Sequence, residues 1–392
     1  REEAVNQPFD LSNAPLLRIR LFKFENEYRL LLVFHHIMMD GWSISLFMKE
    51  LASAYNGYCK NQASILEMPE LQYADYAAWY EEWLDDGERD RTKVFWDKMF
   101  QDGYEKLEVN YPVQQKNENI FLSGYEEIML HDNLTEKLED FISKGYGSTF
   151  SIFLSTFLGT LSYITGKDRV MVETVTSGRV NGDLMDMMGF FVNNVPVQTN
   201  IHNKSFAALV HELNRLSFLL NDNQAFPYDE IVTNYIAEKY KQDYTPFSDF
   251  IFLLQDMKIP NTIFDGVDIT VANKNDGLAK NDFTLMVDKE GRNYKLCVNY
   301  AVYKYDKGFV LRFLDIMVRL LSTYLEVPEA KLDSVSPYEL EDFRKQLAAI
   351  NPLEEVEVKQ TAYELIENSI SIHSDNVLIQ QNGEIVTYEK MS

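Results

Sequence analysis

Cysteine is scarce in this sequence: Cys59 and Cys297 are the only two in 392 residues, far apart and in unrelated contexts. That excludes a disulfide framework and a metal site of the Cys-x-x-Cys type, and both read as buried structural residues in a reducing cytoplasm. Basic residues are in deficit, with 37 Lys and Arg against 61 Asp and Glu and a formal net charge of -24. Phosphate backbones need a basic surface, so nucleic acid is not expected as a partner. Long apolar runs are missing as well. Phe150 to Thr165 is the longest apolar-leaning stretch, but Ser and Thr interrupt it and it is too short to span a bilayer. It predicts a buried helix and no membrane partner. With 46% hydrophobic and 25% charged residues, what remains fits a globular chain with a sizeable core, and the length suggests two or three domains.

Strand and helix patterns alternate along the chain. Leu16 to Phe24 and Tyr28 to His36 predict two strands joined through Glu25-Asn26-Glu27. Trp42 to Gly57, Tyr73 to Trp83 and the stretch carrying Val94-Phe95-Trp96 predict helices, and residues 101–123 predict a polar connector. A second group follows. Tyr125 to Leu130 and Arg169 to Thr176 predict strands, and Gly189 to Val197 leads into another, with 249–255, 267–272, 282–288 and 293–303 as further candidates. Helices are expected at Thr135 to Lys144, Ser148 to Tyr163, Lys204 to Leu220, Tyr228 to Glu238 and Lys307 to Leu325. Two similar-sized groups of mixed elements predict an α/β fold with mixed sheets in two lobes. Residues 351–360 are charged and read as a linker, followed by a helix from Thr361 and a hairpin around Asn382-Gly383.

The stretch richest in chemistry is His35-His36-Ile37-Met38-Met39-Asp40-Gly41, where the strand Tyr28 to Phe34 gives way to a helix. A strand end followed by a Gly-bearing turn can aim an imidazole into a cleft from a rigid support. Neighbours on a strand point to opposite faces, so one histidine of the pair is expected to work and the other to pack. Asp40 reads as a structural anion paired with a cation elsewhere.

Four spaced motifs then agree in order. His35 to Ser43 matches H-H-x-x-x-D-G-W-S, and Tyr73-Ala74-Asp75-Tyr76-Ala77-Ala78-Trp79 matches Y-x-D-Y-A-x-W. Gly189-Phe190-Phe191-Val192-Asn193-Asn194-Val195-Pro196-Val197 is close to G-x-F-V-N-T-x-P-x, and Phe226 to Val232 matches a P-F/Y-x-x-L/I-V segment. On these motifs the sequence resembles a condensation domain of a non-ribosomal peptide synthetase, in the superfamily of chloramphenicol acetyltransferase. Two departures stand out: Asn194 where Thr is usual and Gln198 where Arg is common.

The resemblance implies two chloramphenicol-acetyltransferase-like lobes in a V, with the active site in the cleft between them. Residues 1–100 would be the remainder of the first lobe and 101–350 the second. Only Arg1 to Phe34 precede the motif, fewer than in the family, so a truncated, incomplete first lobe is expected. Residues 361–392, with Val386-Thr387-Tyr388-Glu389-Lys390-Met391, resemble the start of an adenylation domain. The implied activity is acyl transfer: the amine of a carrier-bound aminoacyl group attacks an upstream carrier-bound thioester. Its candidate catalytic set is His36, Asp40, Gly41 and His35. His36 would face the tunnel as general base or amine-positioning group. Asp40 would pair with Arg179, and Gly41 would leave room for a phosphopantetheine arm or serve a turn that needs positive φ. His35, Trp42 and Ser43 would be mainly structural. No directly bound cofactor or metal is implied; 4'-phosphopantetheine arms arrive on partner carrier domains upstream and downstream, beside the adjoining adenylation domain. An epimerisation domain of the same superfamily and an inactive carrier-docking scaffold are the competing readings.

Overall fold

A computed structural model describes residues 5, 7–62, 66, 68–109, 122–236, 247–255, 264–270, 277–338, 344–345, 361–381 and 383–391. The expected linker at 351–360, most of the 101–123 connector and Glu238 lie outside the described residues. The chain divides into two compact units, Arg1–Pro337 and Tyr338–Ser392.

The first unit opens with an antiparallel pair, β1 (Leu17–Lys23) and β2 (Tyr28–Phe34), in register from Leu17 opposite Phe34 to Lys23 opposite Tyr28. Strand β2 stops at Phe34, short of the expected His36. The histidines sit instead in a single 3-10 turn, His36–Met38, capped by His35. Asp40 then caps α1 (Gly41–Cys59). Helices α2 (Tyr73–Trp83) and α3 (Arg89–Met99) follow, joined through a kink in which Gly87 adopts φ 101°.

A six-stranded mixed sheet forms the body of the unit, in the order β3-β8-β7-β6-β4-β5. Its strands are β3 (Ser123–Met129), β4 (Arg169–Thr176), β5 (Asn193–Asn200), β6 (Phe250–Gln255), β7 (Phe283–Glu290) and β8 (Asn293–Ala301). The contacts of β6 with β4 and β7 are parallel and the others antiparallel. Inner strands of this kind are covered on both faces, so Phe250-Ile251-Phe252 is an unbroken apolar run and is buried throughout.

Around the sheet stand α4 (Asp132–Ser143), α5 (Thr149–Thr165), α6 (Phe206–Asp222), α7 (Tyr228–Tyr235) and α8 (Lys307–Glu326). Helix α5 is buried without a break from Ser151 to Leu161. Its hydroxyls survive there because each donates to a carbonyl one turn back: Ser155 to Ser151 at 2.6 Å, Thr156 to Ile152 at 2.9 Å and Thr160 to Thr156 at 2.8 Å. Ser148 caps its start, and Gly166, at φ 67°, ends it in the left-handed conformation that glycine adopts without a Cβ penalty.

One strand expectation is corrected. Residues 267–270 form no strand; Phe264 and Val267 share an isolated bridge and the rest is irregular, while 271–272 lie outside the described residues. The segment is drawn to α1 instead: Phe264 packs on Met48 and Ala52, and the Asp265 N–H donates to Asn56 Oδ1 at 2.7 Å. The second unit contains α9 (Ala362–Ile372) and the hairpin β9 (Val377–Gln381) and β10 (Glu384–Thr387). Among the described residues no helix is long and apolar enough to cross a membrane.

Candidate active site

The turn between β2 and α1 separates its two histidines. His35 accepts from the Ile37 N–H through Nδ1 at 3.2 Å and lies edge-on to Phe9, with ring centroids 5.9 Å apart. His36 is exposed, and its Nδ1 lies 3.0 Å from the Met39 carbonyl. A carbonyl oxygen only accepts, so this contact assigns the proton of the neutral ring to Nδ1 and leaves the Nε2 lone pair open. On another side the imidazole meets Phe190 edge-on, centroids 5.1 Å apart at 89°.

Asp40 and Arg179 come together although 139 residues separate them. The chain brings them into contact because Arg179 follows β4 through Gly178, at φ 65°. A Cβ on Gly178 would stand 1.6 Å from the Phe191 carbonyl oxygen, so only glycine allows this turn beside the 189–191 segment. Asp40 is 1% exposed and Arg179 3%. Asp40 Oδ1 accepts from the Ser43 N–H at 2.8 Å and from Arg179 Nη2 at 3.4 Å, and Oδ2 accepts from the Phe191 N–H at 3.2 Å. Arg179 also donates to the carbonyls of Leu184 and Met187 and to Ser43 Oγ, the last at 3.0 Å, and it lies over the Phe191 ring. Burial pushes its guanidinium down from the usual arginine range, and Asp40 opposes that shift. The pair therefore works as one part of a shared polar cluster, with backbone groups supplying the closer contacts.

Ser43 completes the cluster. Its Oγ donates to the Gly189 carbonyl at 2.8 Å and accepts from the Gly189 N–H at 3.0 Å, while the Asp40 N–H reaches the same carbonyl at 3.1 Å. Trp42 donates from Nε1 to the Met185 carbonyl at 2.8 Å. Gly41 is exposed at the first position of α1 and is not among the left-handed glycines, so the positive-φ turn reading is set aside.

The first and third motifs thus meet around Asp40, and Tyr73 of the second donates to the Phe190 carbonyl at 2.7 Å. The fourth joins less directly: Asn193 Nδ2 donates to the Phe226 carbonyl at 2.8 Å. Composition and spacing carried no signal for Ser43 as a clamp, for the Met39 carbonyl or for the Phe190 ring. Asp40, expected as a structural anion, also caps the start of α1. Chemically, the site offers one exposed imidazole with an open nitrogen, on a turn anchored by buried charges. Among the described residues no group of three or more His, Cys, Asp or Glu is placed to hold a metal ion.

The mixed α/β body is of the chloramphenicol-acetyltransferase type, the fold of solved condensation domains such as the first condensation domain of the CDA synthetase. The family model described as "Condensation domain" matches residues 1–347, and the chain belongs to that family of non-ribosomal peptide synthetase domains. It is 26% identical over 401 residues to Gramicidin S synthase 2 of Brevibacillus brevis, covering 98% of this chain and 9% of that protein. To Malpibaldin synthetase of Mortierella alpina it is 24% identical over 392 residues, covering 98% of this chain and 7% of that protein. In each case the chain spans less than a tenth of the relative's length. In fold it is similar to a four-domain nonribosomal peptide synthetase bound to AMP and glycine, with a TM-score of 0.74 and 16% identity over 100% of this chain and 30% of that one. It is also similar to the epimerization domain from the third module of tyrocidine synthetase B, with a TM-score of 0.65 and 16% identity over 84% of this chain and 76% of that one.

Proposed function

We propose that this chain forms an amide bond between two carrier-bound substrates. The amine of an aminoacyl thioester, held on the phosphopantetheine arm of a downstream carrier domain, adds to the carbonyl of an acyl or peptidyl thioester on an upstream carrier. A C–N bond forms, the C–S bond breaks, and the proton lost by the amine ends on the departing thiolate. A thioester is already reactive, so the protein's share is positioning plus modest proton handling. His36 takes or orients the amine proton through Nε2; base catalysis of this kind contributes about 10²–10⁴-fold. Gly41, exposed and without a side chain, leaves space beside the turn for an arm. Asp40, Arg179 and His35 hold the turn.

The observation that carries this reading is His36 itself: exposed, its Nδ1 committed to the Met39 carbonyl, its Nε2 open, on a turn pinned by the buried Asp40 cluster. We assign residues 1–100 and 101–350 to two lobes of the condensation domain, 351–360 to a linker and 361–392 to the start of an adenylation domain. The match to synthetases over nearly the full chain supports that order. Carrier domains on either side and an adjoining adenylation domain are its proposed partners.

Intact-mass analysis of donor and acceptor carriers, each loaded as a thioester, tests the reaction. Movement of the acyl mass from donor to acceptor is expected. The epimerisation reading, favoured by the likeness to the tyrocidine synthetase domain, expects no transfer but deuterium uptake at the α-carbon of a loaded residue in heavy water.

A further inference from the structure

Two of the spaced motifs, Tyr73 to Trp79 and Gly189 to Val197, have no step in the reaction as proposed, yet their residues converge on His36. Tyr73 is the first residue of α2, and its hydroxyl donates to the Phe190 carbonyl at 2.7 Å. Its ring occupies the space a side chain at 189 would need: a Cβ on Gly189 would stand 2.1 Å from Tyr73 Cδ2. The same ring packs edge-on against Phe191 at 5.1 Å. Residues 189–191 are therefore gripped at each position. Ser43 Oγ holds Gly189 through both its backbone groups, Tyr73 holds the Phe190 carbonyl, and Asp40 Oδ2 holds the Phe191 N–H.

Between these anchors the half-buried Phe190 ring is presented edge-on to the imidazole of His36. The Met39 carbonyl restrains one ring atom, Nδ1. A single contact leaves an exposed imidazole able to swing about that bond; a second, from an aromatic ring perpendicular to it, restricts the ring plane and so the direction of Nε2.

From this convergence we infer that Tyr73 is a positioning residue for His36, acting through the backbone and ring of Phe190, with Gly189 as its obligate neighbour. The inference rests on the reading of His36 as the group that meets the amine. It assigns the second and third motifs a shared task in orienting the histidine of the first.

Tyr73→Phe tests it, because the variant keeps the ring that fills the space at Gly189 and removes only the hydroxyl. Tyr80→Phe is the matched control. Tyr80 lies on the same helix and donates a similar bond, to the Ala225 carbonyl at 2.6 Å, outside the 189–191 segment. Two readouts are taken on the whole chain: kcat and KM for transfer between loaded carriers, and the His36 ring-nitrogen signals in ¹⁵N-histidine-labelled protein, assigned with His36→Gln. Tyr73→Phe is expected to lower kcat about tenfold, the rate equivalent of one net hydrogen bond, with KM for the carriers unchanged. It should also shift or broaden the His36 signals away from the Nδ1–H form. Tyr80→Phe should change neither. Unaltered His36 signals and kcat in Tyr73→Phe, or an equal loss in Tyr80→Phe, would overturn the inference. Should His36→Ala leave transfer intact while Tyr73→Phe still moves the His36 signals, the positioning contact stands and the reading of the reaction fails.

Discussion

Replacing Arg179 with Gln removes four donations at once: to Asp40 Oδ1, Ser43 Oγ and the carbonyls of Leu184 and Met187. Asp40 would remain as a carboxylate that is 1% exposed, holding only the Ser43 and Phe191 N–H groups. The expected loss is about 3–5 kcal/mol, shared between a buried carboxylate left without its cation and two carbonyls and a hydroxyl left without their donor. Asp40→Asn acts differently. Both carboxylate oxygens of Asp40 accept from donors, whereas an amide has one acceptor and one donor, so either orientation sets an NH₂ against an N–H. The expected cost is about 2–3 kcal/mol. The direct Asp40–Arg179 contact is long, at 3.4 Å, while the Met187 and Ser43 contacts of Arg179 are 2.8 and 3.0 Å. A double-mutant cycle should therefore give a coupling of only about 1 kcal/mol, well below either single effect. Trp42, Trp79, Trp83 and Trp96 are the only tryptophans and all lie in the first unit, so urea unfolding followed by their fluorescence reads that unit alone. Either single variant falling within about 0.5 kcal/mol of wild type, the range of an ordinary surface substitution, would contradict a buried cluster at this position.

Two further outcomes follow from other parts of the fold. Glu173, buried in β4 between the Tyr228 hydroxyl and the Ser248 N–H and flanked by Lys106 and Asp249, has its carboxyl pushed by burial from 4.5 up to about 7. The folded pKa lies above the unfolded one, so the native state keeps a proton that the unfolded chain has released, and this stability is lost as pH rises from about 4.5 through 7. Glu173→Gln should therefore gain on wild type by about 3 kcal/mol across that window in urea titrations at a series of pH values, whereas a constant offset would contradict the assignment. Gly178→Ala combines a left-handed backbone with a Cβ placed 1.6 Å from the Phe191 carbonyl oxygen; it should destabilise the first unit by several kcal/mol and lower transfer, read by the same fluorescence and intact-mass assays.

Much of this architecture was legible in the residues. The 3.6-residue pattern marks α8, the apolar-leaning run Phe150 to Thr165 marks the buried α5, and the apolar run Phe250-Ile251-Phe252 marks a strand. The segment 267–270 misled because its alternation of Val267 and Ile269 looks like a half-buried strand. In the fold both stay exposed, and the segment's anchor is Phe264 on α1, a tertiary contact that no local pattern encodes. The site divides the same way. Asp40 was readable as a structural anion in a turn, whereas its capping of α1 shows only in the fold. The gripping of Gly189 by Ser43, and the approach of Phe190 to His36, depend on contacts across about 150 residues of chain and have no sequence period.

Amide formation as proposed depends on the open Nε2 of His36 serving the amine. Single-turnover transfer between loaded donor and acceptor carriers, read by intact mass for wild type and for folded His36→Ala, tests it most directly. A drop of about 10²-fold or more with carrier binding unchanged is the expected result; equal rates from the two proteins would contradict it.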